Sequence, residues 1–396
     1  MRIASRRRRQ MSELLVIPLL GALGACGGAP RSAEIAPIPV DTTWYVSARA
    51  RDANGRDTPR QADSLEFGAV ITKRRAGDPL EGRIPFRRVA TLRYTRAEFV
   101  EALRARMASA TVAAEGAPDP SPFAVFYTHG YGTSLREAWQ HTSSSRTRAR
   151  SAEPWIVFAW PSIGSGVAWP RGGDMIATAY ARDSLSAVAS QGAYARALEA
   201  VLEGTGSGGL VVVAHSLGAH AAGGALASDP AMHQALRADP LRAVAFVSPD
   251  LDAEYFADSL VPALQGTTRR LLLYAAADDR ALAVSVRINE APRAGRIEES
   301  AESPLVRSGL ESIDMTAGAD SDGRLRRTFG TRHALRRRIA ALFDLVHVVG
   351  PGFNASCRET LGTAQRLASG AWKLTPVPLP PIAAVTRCNA PVRPLG

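Results

Sequence analysis

The stretch Leu210–Gly218, LVVVAHSLG, decides the reading of this chain. Leu210–Ala214 is an unbroken apolar run behind Gly208-Gly209. A run without alternation suits a strand covered on both faces, as in a parallel sheet. Ser216–Ala227 is rich in Ala and Gly and reads as a helix stopped by Asp229-Pro230. The chain must therefore turn sharply at Ser216. The residues two before and two after it, Ala214 and Gly218, are small, which such a turn requires. A serine held there presents its hydroxyl as a nucleophile. The competing reading is a helix-capping serine at a strand–helix junction. The full strand–turn–helix context favours the nucleophile.

The same alternation runs outward from this point. Phe123–Tyr127, Trp155–Trp160, Ala243–Ser248, Leu271–Ala277 and Leu310–Thr316 read as further strands. Helical segments begin at Leu135 and span Ser184–Glu203, where Leu185, Val188, Leu198, Val201 and Leu202 recur at helical spacing. Asp41–Ala50 and Phe67–Lys73 read as two leading strands, Asp52–Asp63 as a polar turn region, and Glu98–Met107 as a helix. Apolar strands alternating with helices predict an α/β fold, a mostly parallel, doubly wound sheet with helices on both faces. After about residue 350 the periodicity fades, and Pro376, Pro378, Pro380 and Pro381 predict an irregular extension.

A serine needs a base, and the base needs an orienting acid. In this strand–turn–helix setting the chain order is serine, acid, histidine. Asp279 follows the strand Leu271–Ala277, where the acid belongs, with Asp250 and Asp252 as alternatives one strand earlier. Two histidines lie downstream. His333 follows a polar loop and suits the base, whereas His347 sits among Leu345, Val346, Val348 and Val349 and reads as packed. The developing oxyanion needs two backbone N–H donors. The expected donors are Leu217, directly after the nucleophile, and Tyr131 in the loop His129-Gly130-Tyr131-Gly132, where Gly130 permits close approach. His129 reads as a structural residue beneath the site. No residue pair has metal-ligand spacing, so neither metal nor cofactor is expected.

These pieces, with Ser64-Leu65-Glu66-Phe67-Gly68, Thr133-Ser134, Trp160-Pro161-Ser162-Ile163-Gly164, Asp183-Ser184, Asp250-Leu251-Asp252 and Asp279-Arg280-Ala281-Leu282, resemble a bacterial α/β-hydrolase family catalogued as a domain of unknown function. The motifs run in order from about Ser64 to His333. The resemblance implies an esterase/lipase-like core with Ser216 as nucleophile and Asp279 as acid. Gly132 stands where the family often has Asn, and Arg332 where it tends to have Gly.

Composition sets the remaining bounds. The chain has 396 residues, a net charge of +11, 46% hydrophobic and 21% charged residues, ordinary for a globular protein. Lys73 and Lys373 are the only lysines, and the arginines are scattered, which argues against nucleic acid as partner. The one dense cluster, Arg6–Arg9, precedes the apolar run Leu14–Ala25 and Leu23-Gly24-Ala25-Cys26. That run is short of the roughly 20 residues of a membrane span. It resembles a bacterial lipoprotein signal, with Cys26 lipidated. Removing residues 1–25 takes away five arginines and Glu13, leaving 43 basic against 36 acidic residues. The expected organisation is a signal peptide (1–25), a linker after the lipidated cysteine (26–40), a hydrolase domain (41–349) and a Pro-rich extension (350–396). In an oxidising envelope Cys357 and Cys388 would pair across the extension. The expected activity is serine-dependent hydrolysis of a small-molecule or lipid acyl ester at a membrane-anchored site, against the alternative of an idle hydrolase-fold binding or scaffold lipoprotein.

Overall fold

The computed structural model describes residues 40–74, 86–114, 122–163, 173–318, 333–375 and 380. Residues 1–39 with Cys26, residues 319–332 with Arg332, and Cys388 lie outside the described residues.

Eleven strands form one mixed, mostly parallel sheet. In chain order they are β1 (Val40–Arg51), β2 (Asp57–Arg74), β3 (Phe86–Tyr94), β4 (Ala124–Thr128), β5 (Trp155–Ala159), β6 (Leu210–His215), β7 (Ala243–Val247), β8 (Leu271–Ala275), β9 (Glu311–Asp314), β10 (Ala364–Arg366) and β11 (Trp372–Leu374). Across the sheet the order is β10-β11-β9-β8-β7-β6-β4-β5-β1-β2-β3. The run from β1 through β5, β4, β6, β7, β8 and β9 to β11 is parallel. The outer pairs β1–β2, β2–β3 and β10–β11 are antiparallel.

The central strands are buried on both faces, as their apolar runs require. Successive side chains enter opposite cores, because the strand period is 2. Along β6, Leu210, Val212 and Ala214 face one core, and Val211 and Val213 the other. The first core is closed by helices α1 (Arg96–Ala114), α4 (Gln191–Thr205) and α5 (Gly218–Ser228), through Phe99, Leu103, Tyr194, Leu198 and Leu226. The second is closed by α2 (Leu135–Arg148), through Leu135 and Trp139, and by the helical stretch around Ala341–Val349. Between α2 and α4 lies α3 (Gly173–Ala189).

Two expectations are corrected, and one strand had no sequence reading. Asp52–Asp63 is not all turn: β2 starts at Asp57, with Gln61 opposite Arg49 and Asp57 opposite Arg51. Its polar residues belong to a hairpin arm that leaves the core, so apolar alternation could not mark it. β3 was hidden for the same reason, since most of its residues between Phe86 and Tyr94 are exposed at the sheet edge. The stretch after residue 350 is not wholly irregular either, because β10 and β11 extend the sheet beyond β9. Three-residue strands carry too little sequence to show a period.

Candidate active site

The turn at Ser216 is strained. Its φ is 57°, in the left-handed region that non-glycine residues avoid, at a cost of about 1–3 kcal/mol. The surroundings hold it there. The Ser216 N–H donates to Val247 O (3.1 Å), and its carbonyl accepts from Ala219 N (3.0 Å) and Asp250 N (3.2 Å). A Cβ on Gly218 would lie 2.4 Å from His129 O, so this position must be glycine for α5 to start against the end of β4. Leu217, fully buried, precedes the first residue of α5.

Asp279 and His333 meet although 54 residues separate them. His333 Nδ1 lies 2.7 Å from Asp279 Oδ2, the histidine side chain 13% exposed and the carboxylate fully buried. The other Asp279 oxygen accepts from Leu282 N (3.1 Å) at the start of the helix Arg280–Asn289. Burial alone would raise the Asp279 pKa. The His333 charge and hydrogen bond outweigh it and hold the carboxyl at about 2. Burial would likewise lower the His333 pKa, but the Asp279 charge and hydrogen bond hold it above 6.5. This is a carboxylate that stays ionised beside an imidazole whose Nε2 is left for other work.

The adjacent carboxylate has another task. Asp278 pairs with Arg338 (2.8 Å), a fully buried guanidinium that also donates to Met315 O (3.1 Å). Arg338 lies five residues after His333, so the pair ties the segment carrying His333 to the end of β8. The two alternative acids are occupied elsewhere. Asp250 accepts from the Ser285 hydroxyl and faces Arg293 (3.5 Å). Asp252 caps the following helical turn by accepting from Tyr255 N (2.9 Å). His347 is buried, its Nε2 2.7 Å from Ala149 O and its ring 4.6 Å from Phe343.

His215, the residue directly before the nucleophile, also contacts the segment of the other histidine. Its Nε2 donates to the His333 carbonyl (2.9 Å), and the two rings are 4.8 Å apart. Burial, then the His333 charge, lowers its pKa to about 3, so it is neutral. It positions the segment of the other histidine. Its adjacency to Ser216 was the available signal.

The loop after β4 packs directly on the serine. A Cβ at Gly130 would stand 2.8 Å from Ser216 Cβ and 3.2 Å from Ser216 Oγ. The backbone at Gly130 therefore borders the serine too closely for any side chain to stand between them. The loop is braced from behind. Trp160 Nε1 donates to His129 O (2.7 Å), and its ring stacks on His129 at 5.1 Å. Burial lowers the His129 pKa to about 3, so this histidine is neutral too. Asp183, fully buried, accepts from Gly132 N (3.0 Å), Ile163 N (2.8 Å) and the Ser162 hydroxyl, which in turn accepts from Thr133 N (3.0 Å). Arg49 donates to Trp160 O (3.0 Å) and Ser162 O (2.8 Å). Asp183 and the Trp160-Pro161-Ser162 turn thus set the loop that approaches Ser216. Sequence reading singled these motifs out without this role.

Cys357 is buried at the start of a short helix, and its expected partner Cys388 is outside the described residues. Residues 117–340 match a family described as alpha/beta hydrolase of unknown function (DUF900). A search of curated proteins finds no match to the chain.

Proposed function

The chain belongs to this α/β-hydrolase family of unknown function, and from that premise we propose that it is a serine hydrolase cleaving an acyl ester through Ser216, His333 and Asp279. The observation that carries the reading is the 2.7 Å contact between His333 Nδ1 and the buried Asp279 carboxylate, in a chain whose Ser216 sits at positive φ on a strand–helix turn. Asp279 fixes the tautomer with Nδ1 protonated, which leaves Nε2 as the base. His333 takes the proton as Ser216 Oγ attacks the acyl carbonyl. The oxyanion that forms is met by the N–H groups of Leu217 and Tyr131. His333 then returns the proton to the leaving alcohol, and the acyl group stays on Ser216. Water, activated by the same imidazole, releases the acid and restores the serine. The Asp279 carboxylate stays ionised throughout and stabilises the imidazolium at each proton transfer.

A fluorophosphonate probe tests this reading. The folded wild type should be labelled, and Ser216→Ala should not. A folded wild type that resists labelling would instead fit an idle binding protein with a hydrolase fold. On sequence support alone, the cluster Arg6–Arg9 and Leu23-Gly24-Ala25-Cys26 favour an envelope site with a lipid anchor on Cys26. Incorporation of labelled palmitate that disappears in Cys26→Ser is the corresponding check.

A further inference from the structure

Between α2 and the antiparallel arm formed by β1, β2 and β3 lies an open cleft of about 1120 Å³. Val70, Phe86 and Trp139 form its apolar floor and are buried. The walls are arginine. Arg51 and Arg93 share a single carboxylate, Glu66 (2.6 and 3.5 Å). Asp57, the one carboxylate lining the cleft among the described residues, is occupied by Arg49 (3.0 Å) and by the Leu135 N–H (3.3 Å). Arg56, Arg88 and Arg136 also line the cleft, are exposed, and have no ion-pair partner among the described residues.

The backbone is arranged to deliver one of these charges. The β2–β3 register slips between Ile71 and Thr72, so Thr72 faces Arg88, where an unbroken ladder would set Val89. Thr72 lies on the same face of β2 as Val70, the cleft side, because residues two apart share a face. The bulge therefore pairs Arg88 with the cleft face of β2, a known use of such irregularities, and Val89 beside it lines the cleft as well. Converging guanidinium groups without anions repel one another and stabilise nothing by themselves. Their planar forks suit the oxygens of phosphate, which they can bind two at a time. The volume, somewhat above the roughly 300–1,000 Å³ of small-molecule sites, has room for a phosphate together with a sizeable substituent lying on the apolar floor.

We propose that this cleft binds a phosphate-bearing anion at a site separate from Ser216. Two sources share that chemistry, a soluble phosphorylated molecule and an anionic phospholipid headgroup. The test is calorimetric titration of the full chain at low salt with pyrophosphate and, separately, with monomeric dihexanoyl-phosphatidylglycerol. At least one probe should bind, more weakly as salt rises. The double variant R88E/R136E should lose at least tenfold in affinity while keeping its circular dichroism and melting temperature, since neither side chain has an ion-pair partner among the described residues. Binding of the phospholipid alone identifies a headgroup site; binding of pyrophosphate identifies a site for phosphate itself. The proposal is overturned if neither probe binds the wild type, or if R88E/R136E binds as well as the wild type. Ser216→Ala should bind normally, so failure here leaves the hydrolase reading untouched, and the reverse also holds.

Discussion

Adding one methyl group at Gly130 should remove most of the catalytic rate while leaving the fold standing. The Cβ of Gly130→Ala would sit 2.8 Å from Ser216 Cβ, 3.1 Å from His215 Nδ1 and 3.2 Å from Ser216 Oγ. Carbon atoms in ordinary contact are about 3.5–4.0 Å apart, so roughly 0.7 Å must be opened. The serine side cannot yield easily, because the Ser216 backbone is held by Val247, Ala219 and Asp250. The loop is pinned at His129 by Trp160 and at Gly132 by Asp183. Movement is left to Gly130 and Tyr131 between those anchors, and it would carry the Tyr131 N–H off the position proposed for the oxyanion. Loss of one such donor costs about 10²–10³ in kcat, roughly 2.7–4 kcal/mol. Overpacking should destabilise the protein by about 1–3 kcal/mol. The assay is hydrolysis of a nitrophenyl ester, with a urea denaturation curve in parallel. A folded Gly130→Ala that keeps kcat within about threefold of wild type would refute the assignment of Tyr131 as donor. A rise in KM alone would mean that the loop binds substrate without stabilising the transition state.

Two further outcomes concern the histidines. Asp279→Asn should lower kcat by about 10⁴, the loss typical when the orienting acid of such a triad is neutralised, and should also move the acidic limb of kcat/KM to lower pH. In the wild type that limb should lie above pH 6.5, because Asp279 opposes the effect of burial on His333; an unmoved limb would sink the pairing. The same pair sets a stability window: the Asp279 contribution is complete above its ordinary 3.8 and fades as pH falls through about 2, while the His333 contribution is complete below 6.5 and fades as pH rises through its higher folded value. His347→Ala should cost about 2–4 kcal/mol, from a lost ring and an unpaired Ala149 carbonyl, and leave kcat intact. Loss of turnover in a folded His347→Ala, with His333→Ala active, would reverse the choice of base.

What the sequence disclosed was whatever is local. The elbow Ala214-His215-Ser216-Leu217-Gly218 is a five-residue device whose small residues follow from one turn, and it was legible as such. The central strands were legible because burial on both faces demands uninterrupted apolar runs. The edge strand β3 was not, because an exposed strand needs no such run. Asp279 could be separated from Asp250 and Asp252 only by chain order, since each lies just after a strand and all three are buried or half-buried. Nothing in the sequence states that Asp250 is engaged by Ser285 and Arg293, because those contacts span 35 and 43 positions.

Two pairs of adjacent residues show why local reading stops where it does. Asp278 and Asp279 are chemically equivalent, but successive side chains diverge, so one reaches Arg338 and the other His333. Their tasks are linked: the Asp278–Arg338 pair fixes the segment that begins at His333, and Asp279 then receives the imidazole already in place. His215 and Ser216 divide their labour in the same way. The histidine ends β6 and donates to the His333 carbonyl, while the serine turns out of the strand at positive φ. His333 is thereby held at its ring by Asp279, at its carbonyl by His215, and through Arg338 by Asp278. Three restraints from β6 and the end of β8 fix one side chain that enters from a separate part of the chain. That is the preorganisation a proton-transferring imidazole needs, since misplacement by about 1 Å can cost 10²-fold in rate. The strain of about 1–3 kcal/mol at Ser216 is sustained by the same surroundings, because relaxing its φ would break the hydrogen bonds to Val247 and Asp250 and displace His215 from His333.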